Sequence, residues 1–158
     1  MEYSGIESIY QKIHWKNSQE IQEEGMRDAQ KITDLSYFFQ PVNPGYSKSI
    51  WDNCANIIIK RGDDELKAYI KPMLEWLQDI NWPGAFKIKE RLEKMPASNL
   101  LEPYLSCIED AMREDEESTW LDYLSGLIDN KELFDLLPED KKKLMQEKYK
   151  IFWGYNGE

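Results

Sequence analysis

Histidine and cysteine are scarce in this 158-residue chain, with one of the former and two of the latter. A His-based metal cluster, a Ser-His-Asp triad and a Cys-His pair all reduce to His14, which is far along the chain from Cys54 and Cys107. We read His14, beside Trp15, as an ordinary surface or boundary residue. There is no Gly-rich phosphate loop, no HExxH and no CxxC, so nucleotide-binding and zinc-hydrolase readings lack their minimum parts. Positive charge is also short: 20 Lys and Arg stand against 30 Asp and Glu, a formal net charge of -10. That balance argues against nucleic acid, whose phosphates reward clustered Lys and Arg, and points to a basic protein as partner. No apolar run approaches the roughly 20 residues that a bilayer span requires. Met1-Glu2-Tyr3-Ser4-Gly5 has neither the basic nor the apolar region of a secretory signal, so a cytoplasmic protein is expected.

Sustained period-2 alternation is missing as well, and no strand is predicted. What is present is helical periodicity. Ile6, Ile9, Tyr10 and Ile13 recur at helical spacing, and a weaker helix from Ser18 has Ile21, Met26, Ala29 and Ile32 as sparse apolar contacts, with Gly25 weakening it. Pro41, Asn43, Pro44 and Gly45 supply turn chemistry that makes 38–46 the best internal boundary. Ser47 then caps a helix with the stripe Ile50, Trp51, Cys54, Ile57 and Ile58, and Gly62 is expected as its left-handed C′ residue. Cys54 and Cys107 fall on apolar faces and read as small buried hydrophobes.

Asp63 or Asp64 is expected to cap the next helix, whose face carries Leu66, Tyr69, Ile70, Met73, Leu74 and Leu77, with Trp76 at its edge. Pro72 should either kink or restart it, and a kink is the favoured reading. Pro83 reads as a first-turn residue of the following helix, with Ala85, Ile88, Leu92 and Met95 inward and Lys87, Lys89, Glu90, Arg91 and Lys94 outward. On this assignment Leu74→Ala and Trp120→Ala cost about 2 to 5 kcal/mol each, and Lys89→Ala costs little. Further helices are expected over 101–112 and 118–128, then a C-terminal pair in which Leu133, Phe134 and Leu137 precede Pro138 and a helix through Phe152. The chain reads as a single all-α domain, 1–158, with N-terminal helices and a turn over 1–46 and repeat-like hairpins over 47–158.

An internal echo supports the hairpins. Residues 70–79, Ile-Lys-Pro-Met-Leu-Glu-Trp-Leu-Gln-Asp, align without gaps to 101–110, Leu-Glu-Pro-Tyr-Leu-Ser-Cys-Ile-Glu-Asp, an offset of 31 residues, and each copy is expected to precede a Trp-led helix, at Trp82 and at Trp120. Two-helix units at such a period are the signature of stacked antiparallel hairpins of α-solenoid type. The run Glu75-Trp76-Leu77-Gln78-Asp79, followed by Asn81-Trp82-Pro83 and later by Trp120, resembles the bacterial family catalogued as domain of unknown function 5071. The likeness is best over about residues 47–130. It implies a compact helical domain related to HEAT-type repeats, and it brings no catalytic residue, cofactor or metal. Gly84 stands after Pro83 where the resemblance leads one to expect a larger apolar residue, which leaves the tightness of that corner open.

Function is less legible. The acidic runs Asp63-Asp64-Glu65 and Glu114-Asp115-Glu116-Glu117 lack the ligand alternation and turn glycine of an EF-hand loop, and read as solvated caps. Trp51 and Trp120 lie in apolar stripes and are assigned to the core. Asp79 and Asn81 have short side chains suited to cap the helix that Pro83 opens. The ridge Glu75, Asp79, Asn81 and Trp82 would equally line a groove if the helical pairs curve, which makes it the candidate partner-binding site. We therefore expect a non-enzymatic interaction module with an acidic surface, of which an immunity-type protein neutralising a basic toxin is one version. The alternative is a small-ligand binder or enzyme whose carboxylates meet in an inter-helix cleft.

Overall fold

Every regular element of the computed structural model is helical, among the residues it describes: 2–115 and 117–154, with side chains from residue 5 onward. Met1 of the N-terminal pattern and Glu116 of the acidic run lie outside them. Helix α1 (Glu2–Lys12) buries Ile6, Ile9 and Tyr10. Ser18 caps α2 (Gln19–Ala29) by accepting from the Ile21 amide. Gly25 costs α2 helix propensity, and the packing shows its use: a Cβ there would stand 2.7 Å from Lys12 Cβ and 2.8 Å from Ile13 Cγ2. Ile21, expected inward, is exposed.

The turn-rich stretch is held by Gln40, which is fully buried. Its amide donates to the Tyr37 carbonyl at 2.7 Å and its carbonyl oxygen accepts from the Gly45 amide at 2.9 Å. Ser47 caps a 3₁₀ turn, Lys48–Ile50, that runs directly into α3 (Trp51–Ile59). The predicted stripe of α3 is buried throughout. Its end differs from expectation. Gly62 has φ −76° and ψ 165°, so it is no left-handed C′ residue but the N-cap of α4 (Asp63–Leu66). Asp63 is consequently the first helical residue, paired with Arg91 Nη1 at 2.8 Å, and neither Asp63 nor Asp64 is the cap.

The single kinked helix predicted after Gly62 is instead broken. A 3₁₀ turn, Lys67–Tyr69, separates α4 from α5 (Ile70–Glu75), and a second, Trp76–Gln78, follows. Pro72 therefore sits in the first turn of α5, where an N–H would have no helical partner, and the helix restarts around it. Pro83 precedes α6 (Ala85–Glu93) rather than opening it, and Gly84 takes the N-cap position. The inward stripe of α6 is as predicted, but Lys89 is not outward: it is 8% exposed and pairs with Glu93 at 2.5 Å.

Helix α7 (Ala97–Glu114) runs through Pro103, and α8 (Thr119–Ser125) continues as a 3₁₀ turn to Asp129. Then come α9 (Lys131–Leu136) and α10 (Glu139–Tyr149), the latter extended by one π turn, Lys150–Gly154. Helix α7 packs against α5, α8 and α9, while α6 packs against α3 and α5, and α10 against α8. One buried apolar cluster extends from Ile6 to Met145. The N-terminal helices are tied to it through Asn53, which donates to the Ile13 carbonyl, and through Arg61, which donates to the carbonyls of Ala29 and Ile32. Among the described residues no helix is long and apolar enough to cross a membrane.

Candidate functional site

The corner between α5 and α6 is built around its own backbone. The Trp76 indole, fully buried rather than at a helix edge, donates to the Pro83 carbonyl at 3.1 Å. Asp79 is extended, and its carboxylate accepts the Asn81 amide at 2.9 Å while its carbonyl accepts the Trp82 amide at 3.0 Å. Asp79 thus closes an Asx-type turn and does not cap α6, and Asn81, expected as an alternative cap, is exposed. Gly84 makes the corner tight. It has φ 86°, and a Cβ on it would stand 2.6 Å from Ala55 Cβ and 3.2 Å from the Trp51 carbonyl.

The four residues of the predicted ridge point to two environments. Glu75 is half-buried near Lys71, Asp110 and Cys107 on the seam of α5 and α7. Burial pushes its carboxyl above the ordinary value, Lys71 opposes this, and Asp110 adds to it. Lys71 is committed across the seam, donating to Ser106 Oγ at 2.9 Å and standing 3.1 Å from Asp110, and the Lys71–Asp110 hydrogen bond is the main cause holding Asp110 below its ordinary value. Asp79 lies within electrostatic reach of Tyr123 on α8, whose phenol is raised by burial and further by Asp79 and Asp122.

Asn81 and Trp82 belong to the other side. They line a cleft of about 320 Å³ together with Asp52 of α3 and with Phe86 and Lys87 of α6. Glu75 and Asp79 are not among its lining residues. Trp82 is half-buried, edge to face with Trp51 at 5.5 Å, and Trp51 is in turn edge to face with Trp76 at 6.3 Å. Phe86 is 57% exposed. Asp52 Oδ2 accepts from Lys87 Nζ at 2.8 Å. Asp52 and Phe86 are absent from the sequence-based candidates and Lys87 is there only as an outward residue, although Phe86 carries a signal: it is apolar yet out of phase with the buried stripe Ala85, Ile88 and Leu92.

Elsewhere the polar chemistry is internal. His14 Nδ1 accepts the Lys16 amide at 3.1 Å, in a partly buried position. Cys54 and Cys107 are fully buried free thiols, as the apolar faces predict, and burial pushes the Cys107 thiol up to about 12. A second cleft, of about 380 Å³, lies beside Arg61, but that guanidinium is spent on Glu65 and on two backbone carbonyls.

No curated protein and no solved structure matches the chain. The family described as domain of unknown function (DUF5071) matches residues 49–148, which is well over half of the sequence and includes the whole corner and both echoing segments, and the chain belongs to that family.

Proposed function

We propose that the chain is a protein-interaction module whose helical pairs stack in the HEAT-like, solenoid-type manner and whose acidic surface engages a basic protein. The packing of α7 between α5 and α9, and of α10 on α8, supports the stacking, with α5–α6 and α7–α8 as antiparallel hairpin units. The observation that carries the interaction reading is the 79–82 turn. It holds Trp82 half out of the core next to an exposed Asn81, and its backbone is already locked by Asp79, so a partner meets a rigid aromatic at little ordering cost. Asp79 with Asp122, and Glu75 beyond it, add negative charge that would steer and orient a basic surface. The two free thiols fit a reducing, cytoplasmic setting.

The test is calorimetric titration of a purified basic partner at two salt concentrations. Affinity should fall as salt rises, because exposed charges are screened over roughly 8 Å at physiological ionic strength. Asp79→Asn should weaken binding while thermal stability holds, since an Asn oxygen can still accept the Asn81 amide. The second reading, a small-ligand binder or enzyme, draws on Glu75 and Asp110 facing each other across the α5–α7 seam with Lys71 between them. Salt-independent binding, or turnover of a neutral metabolite, would favour it.

A further inference from the structure

The cleft at the corner has two kinds of wall. One is aromatic: Trp82, seated edge-on against Trp51, and the exposed ring of Phe86. The other is polar: the exposed Asn81 amide and the Asp52 carboxylate. Asp52 gives one oxygen to Lys87, and its Oδ1 accepts no hydrogen bond among the described residues. The Asp52 and Lys87 side chains are 49% and 40% exposed, so their pair is a weak solvated one that a better donor can rearrange. Aromatic faces attract cations, and a carboxylate with a spare oxygen completes a cation site. An anion entering this cleft would work against a net charge of -10.

We propose that the cleft receives a single arginine side chain of the basic partner, an inference that rests on the interaction reading and names its anchor. Guanidinium is planar, weakly hydrated and forked, so it stacks on a ring while donating two N–H groups to Asp52. Lysine offers only a compact, strongly hydrated charge, of which Lys87 already supplies one. About 320 Å³ is room for one long side chain.

The probe is a short lysine-rich peptide with one central arginine, compared with its twin carrying lysine in that place, titrated into the full chain at low salt. The arginine peptide should bind about three- to fivefold tighter, the gain expected of one exposed cation–π contact. The Trp82 indole resonance should shift with it. Asp52→Asn and Phe86→Ala should each erase the preference with unchanged thermal unfolding, and Lys87→Met, which removes the competing ammonium, should enlarge it. Equal binding of both peptides, indifferent to Asp52→Asn and Phe86→Ala, overturns the arginine site while leaving a basic-partner module standing. Binding of neither peptide at low salt overturns both.

Discussion

The Trp120 indole N–H donates to the Leu74 carbonyl at 3.1 Å, across 46 residues and wholly inside the core. The bond joins α8, the helix that follows the second echoing segment, to α5, the helix of the first. Trp120 is 5% exposed and Leu74 fully buried, so the contact combines a large apolar burial with a satisfied donor. Replacing Trp120 with Ala should cost about 3 to 5 kcal/mol, and Leu74→Ala about 2 to 5 kcal/mol. Trp120→Phe keeps an aromatic ring but removes the indole donor and part of the buried area, at about 1 to 3 kcal/mol. Urea unfolding of the three variants checks this order, and a Phe variant as stable as wild type would remove the hydrogen bond from the explanation.

Lys89 reverses its sequence expectation. Its stem lies in the core, its ammonium pairs with Glu93, and it sits 4.6 Å from the Trp153 ring centroid. Lys89→Ala should cost roughly 1 to 3 kcal/mol through lost stem packing and a half-buried Glu93 left unpaired. Lys89→Met, which keeps the stem, separates the two contributions in the same denaturant titration.

Gly84→Ala should be among the most damaging single-methyl changes in the chain. The residue needs a positive φ, and the added Cβ meets Ala55 and the α3 backbone. Backbone strain and overpacking together suggest about 2 to 5 kcal/mol. Differential scanning calorimetry reads it as a lower Tm, whereas Gly62→Ala, in open space with a negative φ, should be nearly silent.

Glu75 predicts a pH effect. Burial raises its carboxyl above the ordinary value of 4.5 in the folded chain. Between the unfolded and folded values the native state holds more protons than the unfolded state, so this group's contribution to stability falls as pH rises through that window. Glu75→Gln should therefore hold or raise stability at neutral pH and lose that advantage at about pH 4, where wild-type Glu75 is largely protonated. Urea midpoints at both pH values measure it. A variant weaker than wild type only at neutral pH would mean that attraction to Lys71 outweighs burial.

The all-helical fold and most of its core were determined by local pattern. The stripes of α1, α3 and α6 and both buried thiols follow from residue spacing, because 3.6-residue periodicity survives without tertiary context. The two echoing segments, 70–79 and 101–110, run through α5 and α7, which pack on each other. Tertiary structure decided the rest, chiefly at element ends, where alternatives differ by little energy. Two prolines at matched positions take different roles, Pro72 restarting a helix and Pro103 lying within one. The left-handed conformation expected at Gly62 falls instead on Gly84, where the positive φ and the approach of α3 together make a methyl intolerable. The ridge Glu75, Asp79, Asn81 and Trp82 is contiguous in sequence but divides in space, because the extended Asp79 turns the chain from the α7–α8 side to the α3 side. Asp52 joins Trp82 and Phe86 only because α3 packs on α6, a relationship that no local spacing encodes.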